Sequence, residues 1–228
     1  MPFSFLRRGV GTDDRLDNIE LTIQQMLEDD RRAFDLAMDA LLGVVPPKSI
    51  KKDVKSTDER VNEGERSIRR ELVVHASVAG TLDTPAMLVY TSIVKDIERV
   101  GDYAKNLLDL ARDGANLSAH DDWPQRREQA AKLITETAVA FRDRDLKRAR
   151  ILIAEGDRLL DEYDDLVSAL VRKEDVRPDA VPRALALRYL KRIVAHLTNV
   201  LSSVVMPLDQ LDYFDDPEDR EERDTSGA

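Results

Sequence analysis

The sequence predicts an all-α protein folded as two tandem three-helix bundles, and three observations carry that prediction. Apolar residues recur at the spacing of a helix face rather than in the alternation of a strand. Proline and glycine, nine of each in 228 residues, interrupt that pattern only at wide intervals. The two halves of the chain also repeat one another's order of acidic, apolar and amide residues, the mark of a duplicated structural unit. The low aromatic share, 5%, points the same way, because strands select aromatic and β-branched residues.

Six helices follow in order. The first spans residues 13–42, with Leu16, Ile19, Ile23, Met26, Leu27, Ala33, Phe34, Ala37, Met38 and Leu41 as its apolar stripe, and Gly43, Pro46 and Pro47 end it. A second covers residues 49–79 and stops at Gly80, before Pro85. The third, residues 85–111, sets Leu88, Ile93, Ile97, Val100, Ala104, Leu107 and Ala111 on one side, with Gly114 as its stop. Trp123-Pro124 opens a fourth helix to residue 142, and a fifth runs over residues 145–172 with no proline between them. Pro178 and Pro182 introduce the sixth, which reaches Val205 ahead of Pro207. At ~1.5 Å per residue these helices are roughly 40 Å long, and short connections make neighbours antiparallel. The expected units are residues 12–115, residues 121–208 and an acidic, solvated tail at residues 209–228.

A chain 42% hydrophobic and 35% charged is a soluble globular one. No run approaches the ~20 apolar residues of a membrane span, and the opening stretch, with Phe3, Phe5 and Leu6 beside Arg7 and Arg8, is too soon charged for a signal peptide. A cytoplasmic location is expected. The absence of cysteine removes disulfides, thiol chemistry and cysteine-based zinc sites. A net charge of −10 with no basic cluster argues against direct nucleic-acid binding.

The repeat brings a row of oxygens with it. Asp58, Val61, Asn62, Glu65 and Ile68 on the second helix share their spacing with Asp157, Leu160, Asp161, Asp164 and Val167 on the fifth. The third and sixth helices align with Glu98 against Lys191, Arg99 against Arg192, Asp102 against Ala195 and Asn106 against Asn199. Glu98, Asp102 and Asn106 recur every fourth residue and so lie in one row beside the buried stripe; Asp58, Asn62 and Glu65 form a second row. Facing one another, the rows make a strip of hard oxygens suited to magnesium, manganese or iron. The same pattern also reads as a solvated, arginine-laced face. Gly101, inside a helix where glycine costs ~1 kcal/mol, implies a close backbone approach by a neighbour. Lys191 and Ala195 would oppose a cation in the second half, so any metal site is asymmetric between the halves.

His75, His120 and His196 are isolated, none following a glutamate by three residues, and the ligand set of di-iron bundles is missing. Glu71 and His75, four apart, make only a weak ligand pair. With no phosphate-cradling glycine loop and no nucleophile elbow, the residues point away from an enzyme.

The stretch Asp96-Ile97-Glu98-Arg99-Val100-Gly101-Asp102-Tyr103-Ala104-Lys105-Asn106-Leu107 resembles the signature helix of PhoU domains, the phosphate-uptake regulators, and the series from Asp58 to Ile68 resembles the acidic helix that faces it. The resemblance covers roughly residues 12–208 and implies two three-helix repeats in one six-helix protein. It implies metal ligands at Glu98 and Asp102, with Asp58 and Asn62 or Glu65 contributing, and a second site at Asp157 and Asp161. Iron, magnesium, manganese or zinc would serve. The sequence departs from many members near Asp83-Thr84-Pro85, where they carry Asp-Leu-Arg.

By that resemblance the protein is a non-catalytic adaptor. It would link the ATPase subunit of a phosphate ABC transporter to a sensor histidine kinase and keep phosphate-starvation genes off. It would meet a membrane only through those partners, and a homodimer is compatible with the pattern. Two other readings stand beside it. One is an accessory protein of a different phosphate or ion carrier; the other is a metal-dependent hydrolase of phosphate esters using Glu98 and Asp102.

Overall fold

A computed structural model describes residues 14–79, 83–118, 122–174 and 178–208, together with residue 211. The opening stretch, Gly80, His120 and nearly all of the expected tail lie outside the described residues. The described residues form six helices: α1 (Asp14–Leu41), α2 (Pro47–Ala79), α3 (Thr84–Arg112), α4 (Trp123–Asp143), α5 (Leu146–Val171) and α6 (Ala180–Val205). Among the described residues there is no strand.

Local chemistry sets the ends. Gly43 takes φ +70° after α1, a left-handed setting that a side chain would strain. Pro85 and Pro124 sit in the first turns of α3 and α4, where a missing amide hydrogen costs nothing. Between α4 and α5 no glycine or proline marks the turn. Arg144 adopts φ 51° instead, and the Asp145 carboxylate accepts from the amides of Lys147 at 3.1 Å and Arg148 at 3.0 Å, a side-chain cap that starts α5.

α1, α2 and α3 pack on one another around Ile19, Ile23, Phe34, Ile68, Ile93 and Ile97, all fully or almost fully buried. Each such side chain contributes about 2 kcal/mol on leaving water. α4, α5 and α6 form the second group, around Trp123, Leu187, Leu190 and Ile193. The groups meet where α3 lies along α6 and α1 along α4. α3 and α6 run antiparallel there, since Asp96 meets His196 and Asn199 while Tyr103 meets Tyr189. In the register that pairs Glu98 with Lys191, Asp96 corresponds to Tyr189 and Tyr103 to His196. The Asp96–His196 contact is therefore the counterpart of Tyr189–Tyr103, and the Tyr103–His196 stack, with centroids 5.8 Å apart, is its own counterpart. Arg31 joins α1 to α4 by donating to the Ala131 carbonyl at 2.8 Å and to the Thr135 hydroxyl at 2.6 Å. No helix among the described residues is long and apolar enough to cross a membrane.

Candidate metal centre

The two oxygen rows face each other. Glu65 on α2 and Glu98 on α3 are bridged by Lys95, whose Nζ lies 2.8 Å from Glu98 and 3.8 Å from Glu65. One helical turn or two further along, Lys105 Nζ donates to Asp58 of α2 at 2.8 Å and to Asp102 of α3 at 3.1 Å. Burial alone would lower the Lys105 pKa, but its bonds to Asp58 and Asp102 outweigh that and raise it. Both acid pairs are thus closed by an ammonium group. The arginine-laced face is real too: Arg69 reaches Glu65 at 2.8 Å, and Arg99 approaches Asp102 at 3.4 Å. Asn62 and Asn106 are half-buried on the same helices, and neither lysine bridges them.

Behind the strip stands a residue the sequence reading left out. Asp30, on α1, is 0% exposed, and both its carboxylate oxygens lack a hydrogen-bond partner among the described residues. Burial first, then the charges of Asp29, Glu98, Asp102 and Asp58, push its pKa well above the ordinary carboxylate range. Gly101 explains how the carboxyl fits. A Cβ at that position would sit 2.6 Å from Asp30 Oδ1, so any larger residue would have to push the carboxyl aside. The close neighbour that Gly101 implied is consequently a side-chain carboxyl and not a backbone. The signal for Asp30 was present: it falls four residues before Phe34, on the apolar stripe where a charge has no ordinary place.

The second half does not reproduce the strip. Lys191 pairs with Asp164, Ala195 is buried, and Asp161 faces solvent while Asp157 is half-buried. The two described histidines are taken up elsewhere. His75 is fully buried with Nε2 2.9 Å from Asp83, a carboxyl that accordingly does not cap α3. His196 Nδ1 lies 2.8 Å from Asp96.

As the side chains stand, no three acids or histidines among the described residues converge closely enough to hold a metal ion. The donor set itself suits a hard cation: Asp58, Glu65, Glu98 and Asp102 around two ammonium groups, with an unpartnered buried carboxyl behind them. The fit requires that an ammonium group give way. Chemically the strip offers charge and oxygen donors and no nucleophile paired with a base.

Comparison with known proteins places this arrangement. Residues 23–111, which hold Asp30, Asp58, Glu65, Glu98 and Asp102, match the PhoU domain. Residues 23–111 form a PhoU domain. A relative in Synechocystis sp., named as a phosphate-specific transport system accessory protein PhoU homolog, is 27% identical over 164 residues, 69% of this chain and 72% of that protein. Proteins of the same name in Pseudomonas aeruginosa and Pseudomonas putida are 28% and 26% identical, over 67% and 73% of this chain and 67% and 70% of theirs. The six-helix PhoU fold is shared with the crystal structure of PhoU from Pseudomonas aeruginosa, at TM-score 0.71 and 22% identity over 84% of this chain and 95% of that one. The phosphate transport system regulatory protein PhoU from Streptococcus pneumoniae follows at TM-score 0.64 and 16% identity, over 83% of this chain and 94% of that one. The PhoU-domain match ends at Ala111, before α4, which is the half where Lys191 and Ala195 replace the acids.

Proposed function

We propose that this PhoU-domain chain is a non-catalytic, cytoplasmic regulator of phosphate uptake, an adaptor between the ATPase subunit of a phosphate ABC transporter and a sensor histidine kinase. In that role it keeps phosphate-starvation genes off when phosphate is plentiful. The observation that carries the reading is the likeness, over two thirds of both chains, to proteins named as accessory to phosphate-specific transport. The structure is consistent with docking in place of turnover. Its polar strip is a half-exposed face of paired charges on a rigid helical body, which can meet a partner and be released when that partner changes shape.

The strip is also the metal-binding face in this proposal, with Asp58, Asn62, Glu65, Glu98 and Asp102 as the donors and iron, magnesium, manganese or zinc as the cation. A bound cation would tie α2 to α3 by coordination in place of the lysine bridges. Asp58 and Glu65 hold the α2 side of that face and Glu98 and Asp102 the α3 side, so the residues set the distance between the helices that a partner reads.

Affinity capture of the tagged chain from phosphate-replete cells, with mass spectrometry of what is retained, tests the adaptor role. Recovery of a phosphate-transporter ATPase and a sensor kinase is expected, with loss of both in the Glu98→Ala/Asp102→Ala double variant. Recovery of an unrelated ion carrier in their place would replace the adaptor with an accessory protein of that carrier.

A further inference from the structure

We propose that Asp30 is the buried ligand of a cation held between α1, α2 and α3, and that Lys105 is the internal counter-ion which that cation displaces. The proposal rests on the reading of the strip as a metal-binding face and names a donor from a third helix.

Charge pairing around Asp30 carries the argument. Its neighbours each have a positive partner: Asp29 has Arg60, with Arg60 Nε 2.9 Å from Oδ2; Glu98 has Lys95; Asp58 and Asp102 share Lys105. Asp30, the most deeply buried of the group, has none among the described residues. A carboxylate withdrawn from water without donor or counter-ion is unfavourable, and a fold that retains one beside other acids has a cation or a proton to put there. Gly101 is the second, independent observation. The helix gives up a side chain at the point where the Asp30 carboxyl enters.

Lys105 supplies the exchange. Its side chain is 37% exposed, so its ammonium can turn to solvent without opening the core. A hard cation in its place would meet Asp58 and Asp102 together, and the Asp30 carboxyl behind Gly101 offers a third carboxylate. Three carboxylates from three helices, completed by water, match the oxygen-only coordination of manganese or magnesium. The ion would thereby fasten α1 to the α2–α3 pair.

Manganese is the probe, titrated calorimetrically into full-length, chelator-stripped protein. Wild type, Asp30→Asn, Lys105→Met and Asp58→Asn/Asp102→Asn are compared, each with far-UV circular dichroism and a melting curve of the metal-free form. Asp30→Asn is expected to weaken manganese at least tenfold while leaving helix content unchanged, and Lys105→Met to tighten it several-fold. Asp30→Ser, smaller and neutral, is expected to weaken it similarly, which separates ligand loss from an asparagine packing effect. If both Asp30 variants bind as wild type while the Asp58/Asp102 variant does not, Asp30 is no ligand, the proposal fails and the strip reading stands. If wild type takes up none of manganese, iron, magnesium or zinc, the strip reading fails and the proposal falls with it.

Discussion

His196 of α6 and Asp96 of α3 are joined across the seam between the two helical groups, with Nδ1 2.8 Å from Oδ1 and both side chains nearly buried. Asn199 donates to the same Asp96 oxygen at 3.1 Å, and Arg192 approaches the far nitrogen of the ring at 3.5 Å. The Asp96 carboxylate can only accept, so Nδ1–H of His196 is the donor of this bond. The pair fixes the antiparallel register of α3 and α6 as apolar packing alone would not, since methyl groups slide past one another more freely than a donor leaves its acceptor.

Removing one member leaves the other buried and unpaired. His196→Ala is expected to lower unfolding free energy by about 2–4 kcal/mol. His196→Phe keeps the stack on Tyr103 but cannot donate, and should recover only part of that loss. Urea denaturation of the two variants reads the difference. Equal stabilities for wild type and His196→Ala would show that the bond contributes nothing.

Gly101→Ala is expected to destabilise by about 1–3 kcal/mol, because the new methyl meets the Asp30 carboxyl. In an Asp30→Ala background the same change should become neutral or stabilising, as the ordinary helix preference for alanine of ~1 kcal/mol emerges. A double-mutant cycle by denaturant unfolding gives the coupling. Additive effects would separate the glycine from the acid.

Glu98→Ala with Asp102→Ala is expected to leave helix content nearly intact, because the strip lies outside the apolar core. It should lower bound metal in protein purified without chelator, read by elemental analysis per chain. Its metal-free melting temperature should change by only a few degrees, since the lost pairs are partly exposed.

Asp122 gives a pH dependence with a definite sign. Burial works to raise its pKa, but the charge of Arg183 and the bond from Arg126 outweigh it and hold the carboxyl below its usual range. A carboxyl depressed in the folded state adds stability above its unfolded pKa of about 3.9 and loses it as pH falls through the folded value. Asp122→Asn should therefore cost about 1 kcal/mol near neutral pH, discounted for partial exposure. The gap to wild type should close below about pH 4. Urea melts across that range check it, and a gap that widened with acid would reverse the assignment.

All six helices were legible because their stripes are long and their ends are marked by proline or glycine; even the unmarked α4–α5 turn was placed, on Asp145, whose carboxylate caps the next helix. The acid rows were legible because four-residue spacing puts them on one face. Pairing between helices was not. Lys95 and Lys105 read as ordinary surface lysines until α2 and α3 are set side by side, and His196 reads as an isolated histidine until α3 supplies Asp96. Asp30 is an intermediate case. Its place on an apolar stripe could be read in the sequence, but what it meets, a glycine on a helix some seventy residues away, could not.

α3 is gripped on two flanks by groups that alternate along a short stretch of its length. Lys95, Glu98, Asp102 and Lys105 point to α2, while Asp96 and Tyr103 point to α6. Such a helix is a shaft with fixed angular settings. A few degrees of rotation that stretched Lys105 from Asp58 would also shear Asp96 from His196. The outer face and the inner seam cannot be adjusted separately, and a load placed on one is delivered to the other without crossing a single loop.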